Sequence, residues 1–83
     1  MRIIIQPHAK KELKKLNKDI LTTILRKIDS IKDDPLRHIE RLKNSPLWKL
    51  RIGDYRAILI LNTKNEEIHV LKIGHRKGVY KKS

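Results

Sequence analysis

Three cations, Lys49, Arg51 and Arg56, lie within the stretch 47–61, LWKLRIGDYRAILIL, and the chain closes on HRKGVYKKS, which adds His75, Arg76, Lys77, Tyr80, Lys81 and Lys82. Such a set suits phosphodiester chemistry. RNA carries its own nucleophile, the 2′-hydroxyl. Cleavage needs that hydroxyl aligned and deprotonated, the pentavalent phosphorane stabilised and the leaving 5′-oxygen protonated. Fixed guanidinium groups supply the charge stabilisation. A lysine crowded by arginines has its ammonium form disfavoured and approaches a useful base. A tyrosine stacks on a base or orients a phosphate. His75 is an alternative proton donor, since an imidazole titrates near neutrality. The bland counterpart is a solvated cationic face with an exposed loop histidine.

A hairpin must position the three central cations. Gly53-Asp54 has the composition of a two-residue loop, because glycine accepts the positive φ of a type I′ or II′ turn. The register then follows: Ile52 faces Tyr55, Arg51 faces Arg56, Leu50 faces Ala57 and Lys49 faces Ile58. Side chains alternate along a strand and cross-strand partners share a face. One face carries Trp48, Leu50, Ile52, Tyr55, Ala57, Leu59 and Leu61. The other carries Lys49, Arg51, Arg56, Ile58 and Ile60. Like charges placed opposite one another destabilise a sheet, so folding alone does not select this cluster. An anion-receiving face does.

The rest of the chain supplies the support. Residues 2–6 read as a short β-branched strand ending at Pro7. Residues 8–16 read as a helix with Ala9, Leu13 and Leu16 on one stripe and Lys10, Lys11, Lys14 and Lys15 elsewhere. Asn17 and Lys18 break that pattern. A second helix runs from Asp19 to about Asp33, with Ile20, Ile24, Ile28 and Ile31 inward, and Asp34-Pro35 ends it. The short link makes the two helices an antiparallel hairpin. Residues 36–45 fit either a helical turn or an extended crossing segment, with His38, Glu40, Arg41 and Lys43 at the surface. Residues 62–65 are a turn. Residues 66–73 are a strand with Ile68, Val70 and Lys72 on one face and His69, Leu71 and Ile73 on the other, ended by Gly74. The sum is an α+β fold of order β-α-α-β-β-β: a small, mainly antiparallel sheet with a helical hairpin on one face and the other face left for function. The place of the first strand in the sheet stays open.

The totals agree with this. Eighty-three residues predict a single domain spanning 1–83. There is no cysteine, hence no disulfide and no thiolate metal site. The four histidines (His8, His38, His69, His75) are scattered without metal-ligand spacing, and no Gly-rich phosphate loop or nucleophile triad is visible. No cofactor is expected. The net charge of +12 implies an anionic partner. No apolar run approaches the ~20 residues of a membrane span, and the N-terminus has too short an apolar core for a signal peptide, so a cytoplasmic location without membrane contact is expected.

WKLRIGDYRAIL, followed by a strand and IGHRKGVY, resembles the RelE family of toxins within the wider RelE/ParE superfamily. The likeness covers nearly the whole chain. It implies the toxin of a type II toxin–antitoxin system: a ribosome-dependent endoribonuclease that cuts messenger RNA in the decoding site by 2′-hydroxyl attack, leaving a 2′,3′-cyclic phosphate. It also implies a cognate acidic, RelB-like antitoxin as partner. By motif, Lys49 and Arg51 match the family's two basic positions on the first hairpin strand. Arg56 matches the arginine of the return strand, Arg76 the arginine after the last strand and Tyr80 the terminal tyrosine. The implied roles are Lys49 for 2′-hydroxyl activation, Arg51 and Arg56 for the scissile phosphate, Arg76 near the leaving oxygen and Tyr80 for RNA stacking. His75, Lys77, Lys81 and Lys82 add RNA contacts. Two departures stand out. Some members have lysine where this chain has Arg51, which cannot serve as a base, so that role falls to Lys49. The tail between Arg76 and Tyr80 is shorter, with Gly78 inside it. A ParE-like DNA gyrase inhibitor on the same fold and a non-catalytic basic RNA-binding module are the alternative readings.

Overall fold

The computed structural model describes residues 1–75. Its elements are β1 (Arg2–Ile5), α1 (Pro7–Lys14), α2 (Lys18–Ser30), a 3₁₀ turn (Pro35–Arg37), β2 (Glu40–Arg41), β3 (Trp48–Ile52), β4 (Tyr55–Asn62) and β5 (Glu67–His75). The five strands form one sheet in the order β1-β5-β4-β3-β2. All neighbours are antiparallel except β1, which lies parallel to β5. The α+β class and the helical hairpin on one face are as the sequence predicts. The fifth strand is an addition, since the open segment 36–45 contributes β2 at the edge.

The helices form where pattern and caps agree. Pro7 opens α1, where its missing N–H costs nothing. Asn17, read from the sequence as a break, is the N-cap of α2: its side chain accepts a hydrogen bond from the Ile20 backbone N–H at 3.0 Å. Ala9 and Leu13 of α1 and Ile24 and Ile28 of α2 are buried against Leu50, Leu59, Ile68 and Val70 of the sheet, all fully enclosed. This layer sets the rear of the sheet and leaves its front open.

The hairpin of β3 and β4 has the predicted register, residue for residue, with Gly53 at φ +59 in the turn. β5 departs from strict alternation. Ile58 pairs with Lys72 but Leu59 pairs with Val70, so Leu71 is an extra residue, a β-bulge. Ile68 and Val70 are buried, and beyond the bulge Ile73 is buried while Lys72 is exposed. Strict alternation would have enclosed the Lys72 ammonium and exposed Ile73. The bulge reverses both and avoids the cost of an unpaired buried charge. The predicted faces of Lys72 and Ile73 are therefore corrected, and β5 continues through Gly74 to His75.

Candidate functional site

The front of the sheet collects cations from three adjacent strands. Lys49 and Arg51 come from β3, Arg56 and Ile58 from β4, and Lys72 from β5. Arg51 and Arg56 are direct cross-strand partners, and Ile58 is flanked by Lys49 on one side and Lys72 on the other. Gly74 is the β5 register partner of Arg56. Arg51 and Lys72 are exposed, while Lys49 and Arg56 are half-buried. Leu50, Ile52 and Ala57, the alternate residues of the same strands, are sunk in the core and hold the ladder rigid.

Lys49 has a neighbour that sequence alone does not suggest. Glu40 is its register partner on β2, and Glu40 Oε1 lies 3.1 Å from Lys49 Nζ. The lysine crowded by arginines is in fact ion-paired to a carboxylate. Its side chain is only 20% exposed and that of Glu40 is 71% exposed, so the lysine is held and the acid reaches into solvent. The next residue, Arg41, pairs with Trp48 toward the other face, its guanidinium 5.4 Å from the ring centroid and its Nε donating to the Ser45 carbonyl at 2.9 Å. These contacts anchor the two-residue strand and so fix Glu40.

His75 does not join the cations. It is the cross-strand partner of Tyr55, whose ring it meets edge-on with centroids 5.0 Å apart, and it lines a groove of about 210 Å³ with Glu12, Lys15 and Leu16 on the helix side. Arg76, Lys77, Tyr80, Lys81 and Lys82 lie outside the described residues. Two front-face groups escaped the sequence reading. Lys72 was detectable in the spacing of Ile68, Val70 and Ile73, which breaks alternation once. Glu40 carries no such signal, because a two-residue strand has no periodicity.

The far end of the same face carries a polar chain. Gln6 Nε2 lies 2.8 Å from His69 Nδ1, His69 Nε2 lies 2.9 Å from Glu67 Oε1, and Arg2 donates to Glu67 Oε2. The imidazole of His69 thereby links the Gln6 amide to the Glu67 carboxyl. The hydrogen bond from His69 holds the Glu67 carboxyl below its ordinary range; burial opposes this and the Arg2 charge adds to it. Among the described residues no group of three or more histidines or carboxylates is arranged to hold a metal ion. No helix among them is long and apolar enough to cross a membrane.

Comparison with known proteins places this architecture. The toxin–antitoxin complex RelBE2 of Mycobacterium tuberculosis contains a chain of the same fold, with TM-score 0.81, 22% identity and 90% of each chain covered. The archaeal RelE–RelB complex of Pyrococcus horikoshii gives TM-score 0.77 at 28% identity over 90% of this chain and 93% of that one. The isolated RelE toxin of Escherichia coli gives 0.79 at 20% identity over 98% and 92%. Among curated proteins no sequence match is found. The family model for the ParE toxin of type II toxin–antitoxin systems, parDE, matches residues 3–80, which takes in both helices and, but for Arg2, all the strands among the described residues. With sheet, helical hairpin and sequence profile in agreement, the chain belongs to the ParE toxin family of type II toxin–antitoxin systems, within the RelE/ParE superfamily.

Proposed function

We propose that this toxin is a ribosome-dependent endoribonuclease that cleaves messenger RNA in the decoding site. The observation that carries the proposal is the convergence of Lys49, Arg51, Arg56 and Lys72 on the open sheet face, with Glu40 as the carboxylate at its edge. The paired guanidinium groups of Arg51 and Arg56 hold the scissile phosphate and the charge that grows on it. An ion-paired ammonium has no lone pair to offer, so Glu40 takes the 2′-hydroxyl proton while Lys49 orients the carboxylate and neutralises the nearby phosphate. The 2′-oxygen bonds to phosphorus, the bond to O5′ breaks, the departing O5′ takes a proton from solvent water, and the products are a 2′,3′-cyclic phosphate and a 5′-hydroxyl. Arg76 offsets the charge on the departing oxygen and Tyr80 stacks on the RNA. Lys77, Lys81 and Lys82 add contacts to the strand as it leaves the face.

The partners in this reading are the ribosome with its message, and an acidic RelB-like antitoxin that neutralises the +12 charge. The site of action is the cytoplasm. Replacing Lys49, Arg56 or Arg76 with alanine abolishes cleavage of a message on programmed ribosomes and leaves a folded domain. Normal cleavage by all three variants would overturn the assignment. The second reading, inhibition of DNA gyrase, is favoured by the ParE family match. Toeprinting separates the two: absence of new truncated message ends, together with loss of DNA supercoiling, selects the gyrase reading.

A further inference from the structure

The register orders more of the front face than its cations. Lys49, Ile58 and Lys72 lie side by side across β3, β4 and β5, and the next row holds Ile60, His69 and Ile4 across β4, β5 and β1. Ile58 and Ile60, both half-buried, are thus the β4 partners of Lys72 and His69. Gln6 directly follows β1. Its backbone N–H donates to the Val70 carbonyl at 3.0 Å, which sets it beside the bulged stretch of β5 that leads to Lys72.

Gln6 stands at the N-cap position of α1 and does not cap it, since its side chain makes no hydrogen bond to the helix. Asn, Asp, Ser and Thr serve there because a short side chain reaches the exposed backbone N–H groups. Gln6 instead turns its amide nitrogen to His69 Nδ1 at 2.8 Å. The ring is held in turn by Glu67, and Glu67 by Arg2. The side chains of His69 and Glu67 are only 23% and 13% exposed, so they support the amide rather than reach into solvent themselves. An amide has two N–H donors and an acceptor oxygen. Among the described residues the Gln6 amide makes no hydrogen bond besides that to His69. A donor and an acceptor therefore remain side by side, in a fixed plane that helix formation does not call for.

We propose that this corner of the sheet face is a nucleobase subsite, in which Gln6 reads the edge of an adenine flanking the cut, the base lies over Ile58 and Ile60, and Lys72 takes the phosphate of that nucleotide. His69 is a positioning residue that acts through Gln6. The subsite needs an RNA strand on this face, and so rests on the nuclease function proposed for it. The charges sort base from phosphate. Arg2 offsets Glu67, which leaves the Gln6 end neutral. Lys72 is exposed and takes part in none of the ion pairs among the described residues, so a phosphate is drawn there. A glutamine amide engages the amino group and N7 of adenine together. Single-stranded RNA offers such edges once its bases are unstacked. Protein interfaces are organised instead around aromatic or other large anchors. The exposed large apolar side chains are Leu25 and Leu36, neither on the strands of this face.

The test measures kcat/KM on programmed ribosomes for messages in which each nucleotide flanking the cut is A, C, G or U in turn. Adenine at one flanking position is expected to be preferred by at least ~5-fold, the lower end for a bidentate amide–adenine pair. Gln6→Met keeps the length of the side chain and removes its polar edge, and should bring that ratio within ~2-fold of unity. His69→Ala should lower the same ratio. Because the ratio compares messages on one protein, a loss of folded material leaves it unmoved, and circular dichroism reports folding separately. No adenine preference in the wild type, or a preference kept by Gln6→Met, would overturn the proposal; a preference kept by His69→Ala would overturn the positioning role. A second arm measures binding of the full chain to short uridine oligonucleotides with and without a single adenine. If the wild type cuts no message at all, the nuclease reading fails, and this arm decides the subsite by the same ratio in wild type and Gln6→Met. Adenine discrimination intact in Gln6→Met, with binding of an acidic antitoxin peptide lost, would assign the amide to a protein interface and overturn the proposal.

Discussion

Changing Glu40 to glutamine separates two roles for the carboxylate at the edge of the sheet. As a structural ion pair it contributes little: with Glu40 71% exposed, removal of its charge costs roughly 0.2–1 kcal/mol of stability. As the proton acceptor it contributes far more, since loss of a general base lowers turnover by ~10²–10⁴. At ~1.36 kcal/mol per decade that is about 2.7–5.4 kcal/mol in the barrier, several times the structural term. The substitution also removes one negative charge from a face meant to receive phosphate, so the KM for message on programmed ribosomes should stay level or fall. The expected signature is a collapse of kcat without a rise in KM and with little change in melting temperature. Single-turnover cleavage on programmed ribosomes, beside a thermal melt, reads all three. Cleavage within ~3-fold of wild type, or faster, would refute the reasoning and leave Glu40 as a mask over Lys49.

Two further outcomes follow from the fold. Leu50 is fully buried behind the cations, so Leu50→Ala should cost ~2–5 kcal/mol. At ~4–8 °C per kcal/mol in a domain of this size, a calorimetric melt should fall by at least about 8 °C, and a much smaller shift would show that this side chain does not brace the ladder. Glu67, with its carboxyl held below the ordinary 4.5, contributes stability that is fully present above the unfolded value and is lost as pH falls through the lower folded one. Urea denaturation should therefore show wild type more stable than Glu67→Gln near neutrality, with the gap closing below pH 4.5; a gap that widens toward acid would reverse the sign of the argument.

Much of the molecule is legible one segment at a time. The register of β3 on β4 follows from a two-residue loop containing Gly53 and from the two-residue period of a strand, both of them local. The inward stripes of Ala9 with Leu13 and of Ile24 with Ile28 follow from helical period in the same way. These two facts suffice to put Lys49, Arg51 and Arg56 on the face away from the helices. What local pattern leaves undecided is everything that depends on which distant segments pair. β1 lies parallel to β5 at an edge because its Ile3 and Ile5 must join Ile68 and Val70 over the helices, a choice among free edges that no single segment specifies. Glu40 reaches Lys49 through a strand of two residues, shorter than any period can reveal. Lys72 turns to the front, and His75 to the helix side beside Tyr55, because a bulge at Leu71 lets Ile73 enter the core in place of a charge. Alternation within a strand is two-fold ambiguous, and burial against the helices resolves it. For this chain the sequence determines which cations share the central hairpin, and the tertiary structure decides which acid and which fourth cation stand beside them.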